Sequence, residues 1–268
     1  MKAISVLPSR GCVVTSLPSV LERFCLGTVK LGLPGYGFSS AAVAPAFDST
    51  AFFQQVDELG VYRFDTSPRY GESEARLGAC LARRSTAGLT PWISSKIDNL
   101  TGGHADTPGE MVASVRRSLA RLQVSQLDLC YLHQNGLEII QDPWVHEGIR
   151  LLKERQLIRH AGVSLYSHEE CAWAVECGIY DVIQVPVSLF DLGFYNRFIA
   201  PGGMPVRFAG RSLLLQGILA NRDRVVQEIR QGREILAYLA RLDQLAAQGG
   251  MSTTELAFRL AFSLPGLD

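Results

Sequence analysis

From about Arg23 to the end of the chain, short apolar runs bounded by turns alternate with amphipathic stretches opened by capping residues. This rhythm constrains the fold more than any other feature. A short, nearly all-apolar run reads as a strand covered on both faces, and an amphipathic stretch reads as the helix that covers it. Strands are expected at 23–28, 61–65, 91–97, 127–133, 158–164, 181–187 and 211–216. Helix starts are legible in Thr107-Pro108-Gly109-Glu110, read as a cap, a helix-initiating proline and a reciprocal glutamate, in Ser167-His168-Glu169-Glu170, and in Ser252-Thr253-Thr254-Glu255. Gly178 reads as the residue that closes the helix begun at Ser167. Further helices are expected at 50–59, closed by Gly60, and at 73–84, 144–156 and 233–247.

Strands followed by helices imply a parallel sheet covered by helices, either an open doubly wound sheet or a closed barrel. An open nucleotide-binding sheet calls for a glycine-rich phosphate loop after its first strand, and GTVKLG (27–32) has neither GxGxxG nor GxxxxGK[ST] spacing. A barrel instead gathers polar residues at the C-terminal ends of several strands, as this chain does. A barrel of this length is a single domain, so 1–268 is read as one unit with residues 1–22 preceding the first strand.

Twenty-six basic residues balance 26 acidic ones, and this neutrality argues against nucleic acid or an anionic membrane as the main partner. Six cysteines contain no CxxC pair, and several sit in apolar segments, where the thiol acts as a small hydrophobe. The apolar stretch of MKAISVLPSRG is too short for a signal peptide, so a cytoplasmic location is expected. His104, His146, His160 and His168 do not form a ligand cluster with carboxylates, and no metal is expected.

The chain has 22 Arg but only four Lys, which makes Lys96 at the end of an apolar strand conspicuous. Asp65 and His133 end two other strands, and Tyr70 lies five residues beyond Asp65. In a closed barrel these four converge on one face. A tyrosine is a poor acid near neutrality because its pKa is about 10, and a nearby ammonium would lower it. Lys96 is that ammonium, Asp65 would keep it protonated, and His133 would orient a carbonyl or relay its proton. No Ser-His-Asp set or nucleophilic cysteine is apparent, which leaves a hydride from a bound cofactor as the attacking partner.

FDTSPRYGESEARLG (64–78), Lys96 in WISSKI, LDLCYLH (127–133), AGVS (161–164) and VIQVPVSLFD (182–191) together resemble the aldo-keto reductase family. The resemblance implies a (β/α)8 TIM-type barrel and reduction of small aldehydes or ketones with NADPH. It also implies a catalytic tetrad at Asp65, Tyr70, Lys96 and His133, with Tyr70 as the acid. For the cofactor it implies Gly27 and Thr28 after strand one, Asp65, Ser164 and Gln184 at the carboxamide, and the stretch containing Arg211, Ser212, Leu214 and Gly217. Leu165 stands where the family often has Asn, and Arg211 stands where an aromatic residue stacks on the nicotinamide. The sequence stops at Asp268, where the family's eighth strand and phosphate-gripping segment would follow. The expected barrel therefore lacks its eighth strand, with weak cofactor binding and little preference between NADPH and NADH. The rival expectation is a degenerate barrel that binds a ligand or partner protein without turnover. The loop 32–47, residues around Trp144, and 188–200 with Phe190, Phe194 and Tyr195 are expected to wall the pocket.

Overall fold

The computed structural model describes residues 17–37, 49–83, 90–133, 136–219, 222, 225 and 229–267. The segment 1–16, and 38–47 of the first long loop, lie outside them. Seven strands form one curled, wholly parallel sheet in sequence order, β1 (Leu26–Gly27), β2 (Arg63–Asp65), β3 (Trp92–Ile97), β4 (Leu127–His133), β5 (Ile158–Ser164), β6 (Val182–Pro186) and β7 (Arg207–Arg211). The main covering helices are α3 (Ser49–Glu58), α4 (Ser73–Leu81), α5 (Thr107–Leu122), α7 (Pro143–Glu154) and α8 (His168–Cys177), then α9 (Gly232–Gln248) and α10 (Thr253–Ser263). The described residues also form the short helices α1 (Leu17–Arg23), α2 (Val29–Gly32) and α6 (Leu137–Ile140), a π-helical turn at Tyr195–Ile199 and a 3-10 turn at Leu215–Gly217. The alternation in the sequence corresponds to this strand–helix order, because parallel neighbours need a crossover and a helix supplies it.

Beyond β7 the ladder continues as a single parallel bridge between Phe208 and Leu267. Arg23, at the end of α1, donates to the carbonyls of Phe262, Leu264 and Leu267, which ties the entrance to β1 to the end of the chain. The architecture is a half-closed α/β barrel with seven strands.

Side-chain alternation divides the strands into two sets. Phe64, Ile93, Ile97, Leu132, Val163 and Ile183 face outward and are buried under the helices in the main core. Inward-facing Leu129, Tyr131 and Val182 form a small separate cluster inside the barrel. The helix caps explain where the covering segments begin and end. Ser167 and Glu170 make a reciprocal capping box, and Gly178 ends that helix in the left-handed conformation at φ 68°. Ser252 accepts from the Glu255 amide, and Asp142 accepts from the Trp144 amide ahead of Pro143.

Three expectations need correction. The seventh strand is Arg207–Arg211, not 211–216: the apolar LLLQ run follows the strand and turns through positive φ at Ser212, Leu215 and Gln216. The first strand is shorter than 23–28, because Arg23 closes a helix. Thr107 is the first helical residue rather than the cap, and its buried hydroxyl has no partner.

Candidate active site

Because Cβ atoms alternate along a strand, Asp65, Lys96, His133, Ser164, Gln184 and Arg211 all face inward at the C-terminal ends of β2 to β7. They line one cavity of about 660 Å³. Tyr70 enters it from the loop after β2. That loop is held by a close approach of backbones: a Cβ on Gly32 would lie 1.6 Å from the Tyr70 carbonyl oxygen, so only glycine lets α2 sit there.

Lys96 is buried, and its ammonium donates to Asp65 Oδ2 at 2.7 Å and to the Thr66 carbonyl at 2.8 Å. Ser94 donates to the other Asp65 oxygen at 2.9 Å. The ammonium stands 5.1 Å from the Tyr70 ring centre, and the His133 ring meets Tyr70 edge-on at 6.1 Å. Burial alone would lower the Lys96 pKa, but Asp65 and Tyr70 more than offset it, so the lysine is held above its ordinary value and stays charged. The expected lowering of the Tyr70 pKa does not occur. Burial pushes the phenol above its ordinary value, Lys96 pulls it down, and Asp65 pushes it up again. Lys96, paired with Asp65 at 2.7 Å, favours the phenolate but is outweighed by burial.

Asp98 is a site residue that sequence reasoning missed. Its side chain is almost fully buried and accepts from His133 Nδ1 at 2.5 Å and from the Ser67 hydroxyl at 3.1 Å. A carboxylate can only accept, so Nδ1 carries the hydrogen and Nε2 is the ring nitrogen left for a ligand. The available signal is position: Asp98 lies two residues after Lys96, where the alternation of β3 continues past the strand's end.

Ser164 and Gln184 are buried at the opposite wall, and neither side chain has a hydrogen-bond partner among the described residues. Arg211 sits over the Tyr166 ring, its guanidinium carbon 4.0 Å from the ring centre. It donates to the Leu165 carbonyl at 3.0 Å and to the Ser212 hydroxyl at 3.2 Å. Tyr166 is thus a second site residue that the sequence did not flag. Gly27, Ser212 and Leu214 also line the cavity, whereas Thr28 and Gly217 do not. The role of Thr28 is structural, since its hydroxyl donates to the Asp65 carbonyl and accepts from Ser73. Cys130 and Cys171 are buried thiols pushed up to about 12 by desolvation, so neither supplies a thiolate.

The expected pocket walls are corrected as well. Leu33 and Tyr36 of the first loop line the cavity, but Trp144, Phe190, Phe194 and Tyr195 do not. Phe194 is buried against His168 and Phe198, and Phe190 rests on Tyr238.

Residues 23–268 match the aldo/keto reductase family. The chain belongs to that family. Among curated proteins, this aldo/keto reductase family member is 32% identical over 123 residues to a D-arabinose 1-dehydrogenase of Saccharomyces cerevisiae, covering 44% of this chain and 36% of that protein. It is 27% identical over 121 residues to an L-galactose dehydrogenase of Arabidopsis thaliana, covering 42% and 38%. Each match thus spans little more than a third of the relative's length. Among solved structures, a glycerol dehydrogenase from Gluconobacter oxydans superposes with a TM-score of 0.70 at 22% identity, covering 91% of this chain and 80% of that one. The holo form of an aldo-keto reductase from Bacillus halodurans superposes at 0.67 and 20% identity, covering 91% and 79%. The match over residues 23–268 establishes the family, and the structural likenesses establish the fold. No helix among the described residues is long and apolar enough to cross a membrane.

Proposed function

We propose that this protein is a nicotinamide-dependent oxidoreductase that reduces small aldehydes or ketones to alcohols, with NADPH as the reductant and Tyr70 as the general acid. The observation that carries the reading is the buried Lys96–Asp65 pair at 2.7 Å beside the Tyr70 ring. A buried lysine costs several kcal/mol to desolvate unless it is paired. Its position at the wall of an open cavity suits a proton-transfer site better than a structural bridge.

The unpartnered Ser164 and Gln184 side chains fit a carboxamide, which offers one acceptor and two donor hydrogens to such groups. Gly27, Ser212 and Leu214 line the cavity beside them and complete the assignment of the cofactor wall. When bound there, the cofactor supplies a hydride to the carbonyl carbon. Tyr70 holds the proton that passes to the carbonyl oxygen, and its raised pKa keeps it protonated until the oxygen becomes basic. Lys96 stabilises the phenolate left behind, and Asp65 keeps Lys96 charged and in place. His133 turns Nε2 toward the cavity, and in the tautomer that Asp98 fixes this nitrogen is an acceptor, suited to receive the hydroxyl hydrogen of the alcohol that forms. The dehydrogenase names of the two curated relatives support the same class, because carbonyl reduction and alcohol oxidation share one transition state.

The test is NADPH oxidation with a panel of aldehydes and ketones by wild type and by Tyr70→Phe. Loss of a general acid is expected to slow turnover roughly 10²- to 10⁴-fold while cofactor binding, followed by fluorescence, is retained. Equal rates in the two proteins remove Tyr70 from the mechanism. Ligand binding without turnover of any carbonyl supports the non-catalytic alternative.

A further inference from the structure

We propose that Arg211 anchors an anionic group, a carboxylate or a phosphate ester, on the carbonyl substrate. The inference rests on the carbonyl-reduction reading and adds the substrate class to it. Arg211 ends β7 and shares the cavity with Tyr70 and His133. Its guanidinium is held over Tyr166 by donation to the Leu165 carbonyl and the Ser212 hydroxyl, all of them uncharged partners. Among the described residues no carboxylate pairs with it, and its buried Nε–H has no acceptor. Of the other cations on the cavity wall near the tetrad, Lys96 is already neutralised by Asp65, Arg63 stacks on Trp92, and Arg69 has contacts of its own in the loop that carries Tyr70.

A largely buried guanidinium with no counter-ion is costly, and burial accordingly presses its pKa down. A ligand anion removes that cost. The fork is also suitable: two hydrogen bonds and the Tyr166 ring restrain the guanidinium, and the Nη hydrogens not given to Leu165 and Ser212 can serve the paired oxygens of a carboxylate. Arg207, the next inward arginine on β7, is four residues earlier, about 13 Å away along the strand at the opposite end of the cavity.

The experiment uses two matched substrate pairs that differ in charge and span: succinic semialdehyde against butanal, and 4-carboxybenzaldehyde against benzaldehyde. For wild type, kcat/KM is expected to favour the charged member of at least one pair by about 10- to 100-fold, the range of one charge-assisted contact. Arg211→Gln should erase the preference and Arg211→Lys should keep part of it. Equal rates within both pairs for wild type overturn the proposal, and this comparison needs no variant to fold. A uniform loss for both members in Arg211→Gln, together with weaker NADPH binding in a fluorescence titration, assigns the guanidinium to the cofactor and also overturns it. If wild type reduces none of the four, the carbonyl-reduction reading fails, and calorimetry decides the anion site separately. Binding of 4-hydroxybutyrate but not 1-butanol, weakened at least about tenfold in Arg211→Gln, supports it; absence of 4-hydroxybutyrate binding to wild type overturns it.

Discussion

The β2–β4 wall of the cavity and the β5–β7 wall both carry inward polar side chains but satisfy them differently. On the first wall Lys96 is paired with Asp65, and His133 with Asp98. Behind it, buried Glu74 accepts from Ser95 and Arg121 and so links α4, β3 and α5. On the second wall Ser164, Gln184 and Arg211 face the cavity with no partner, or with uncharged partners. Paired groups have their orientation set before any ligand arrives, which is what proton transfer needs. Unpaired groups leave their hydrogen-bonding capacity to the ligand. On the proposed function, the contrast divides the site into a wall for chemistry and a wall for holding what is transformed.

The largest effect should follow from removing the cation of the paired wall. Lys96→Met keeps the volume but leaves Asp65 with Ser94 alone, and breaking one side of a buried pair typically costs about 3–5 kcal/mol. Denaturant unfolding should show a loss of that order, accompanied by loss of carbonyl reduction. A fully stable Lys96→Met protein would mean that the pair contributes nothing to the fold and that the wall is not preorganised.

Asp98→Asn comes next. The amide keeps the size and can still accept from His133, but the charge is gone, and the ring is free to adopt the other tautomer. A charge-assisted contact contributes about 1.5–3 kcal/mol, so kcat should fall roughly 10- to 100-fold with KM nearly unchanged, since Asp98 does not line the cavity. A rise in KM with kcat intact would make Asp98 part of the substrate pocket instead of a positioning residue for His133.

The two walls also differ in how far they can be read from the sequence. Asp65, Lys96 and His133 are legible because each interrupts an apolar strand at its C-terminal end. Lys96 stands out further because lysine is rare in this chain. The partners that make the wall work are hidden: Asp98 and Ser67 lie in loops, where an Asp or Ser is ordinarily a turn former. On the other wall the apolar LLLQ run has the stronger strand pattern, while the true β7, RFAGR, carries arginine at both ends. Inward-facing polar positions at a barrel's ends break the pattern by which strands are found. Placing that strand too far along the chain puts Arg211 at its start, whereas the residue stands at its end, and the stack on Tyr166 follows only from the true register.

A subtler effect concerns pH. If Tyr70 is the acid of the proposed reduction, its protonated form is the active one, so activity should be present below its pKa and lost as pH rises through it. Because burial raises that pKa, the alkaline fall in kcat/KM should lie above the ordinary phenol value of about 10. Asp65→Asn removes an upward push and leaves Lys96 less neutralised, so the fall should move to lower pH. A fall in wild type near neutrality, or an unchanged profile in Asp65→Asn, would break the link between the paired wall and the proton.

The smallest effect is expected where an unpaired polar atom faces no cavity. The Thr107 hydroxyl at the start of α5 is buried without a partner, like the Arg211 Nε–H, but it does not line the site. If unpaired groups mark ligand positions only where space adjoins them, Thr107 is a plain defect of packing. Thr107→Val keeps the shape and removes the unsatisfied hydroxyl, and such replacements are close to neutral or stabilise by about 1 kcal/mol. Thermal unfolding should therefore show an unchanged or slightly higher midpoint, with NADPH binding and turnover as in wild type. A loss of more than about 1 kcal/mol would show that the hydroxyl is satisfied in solution, and a missing partner would then no longer separate the two walls.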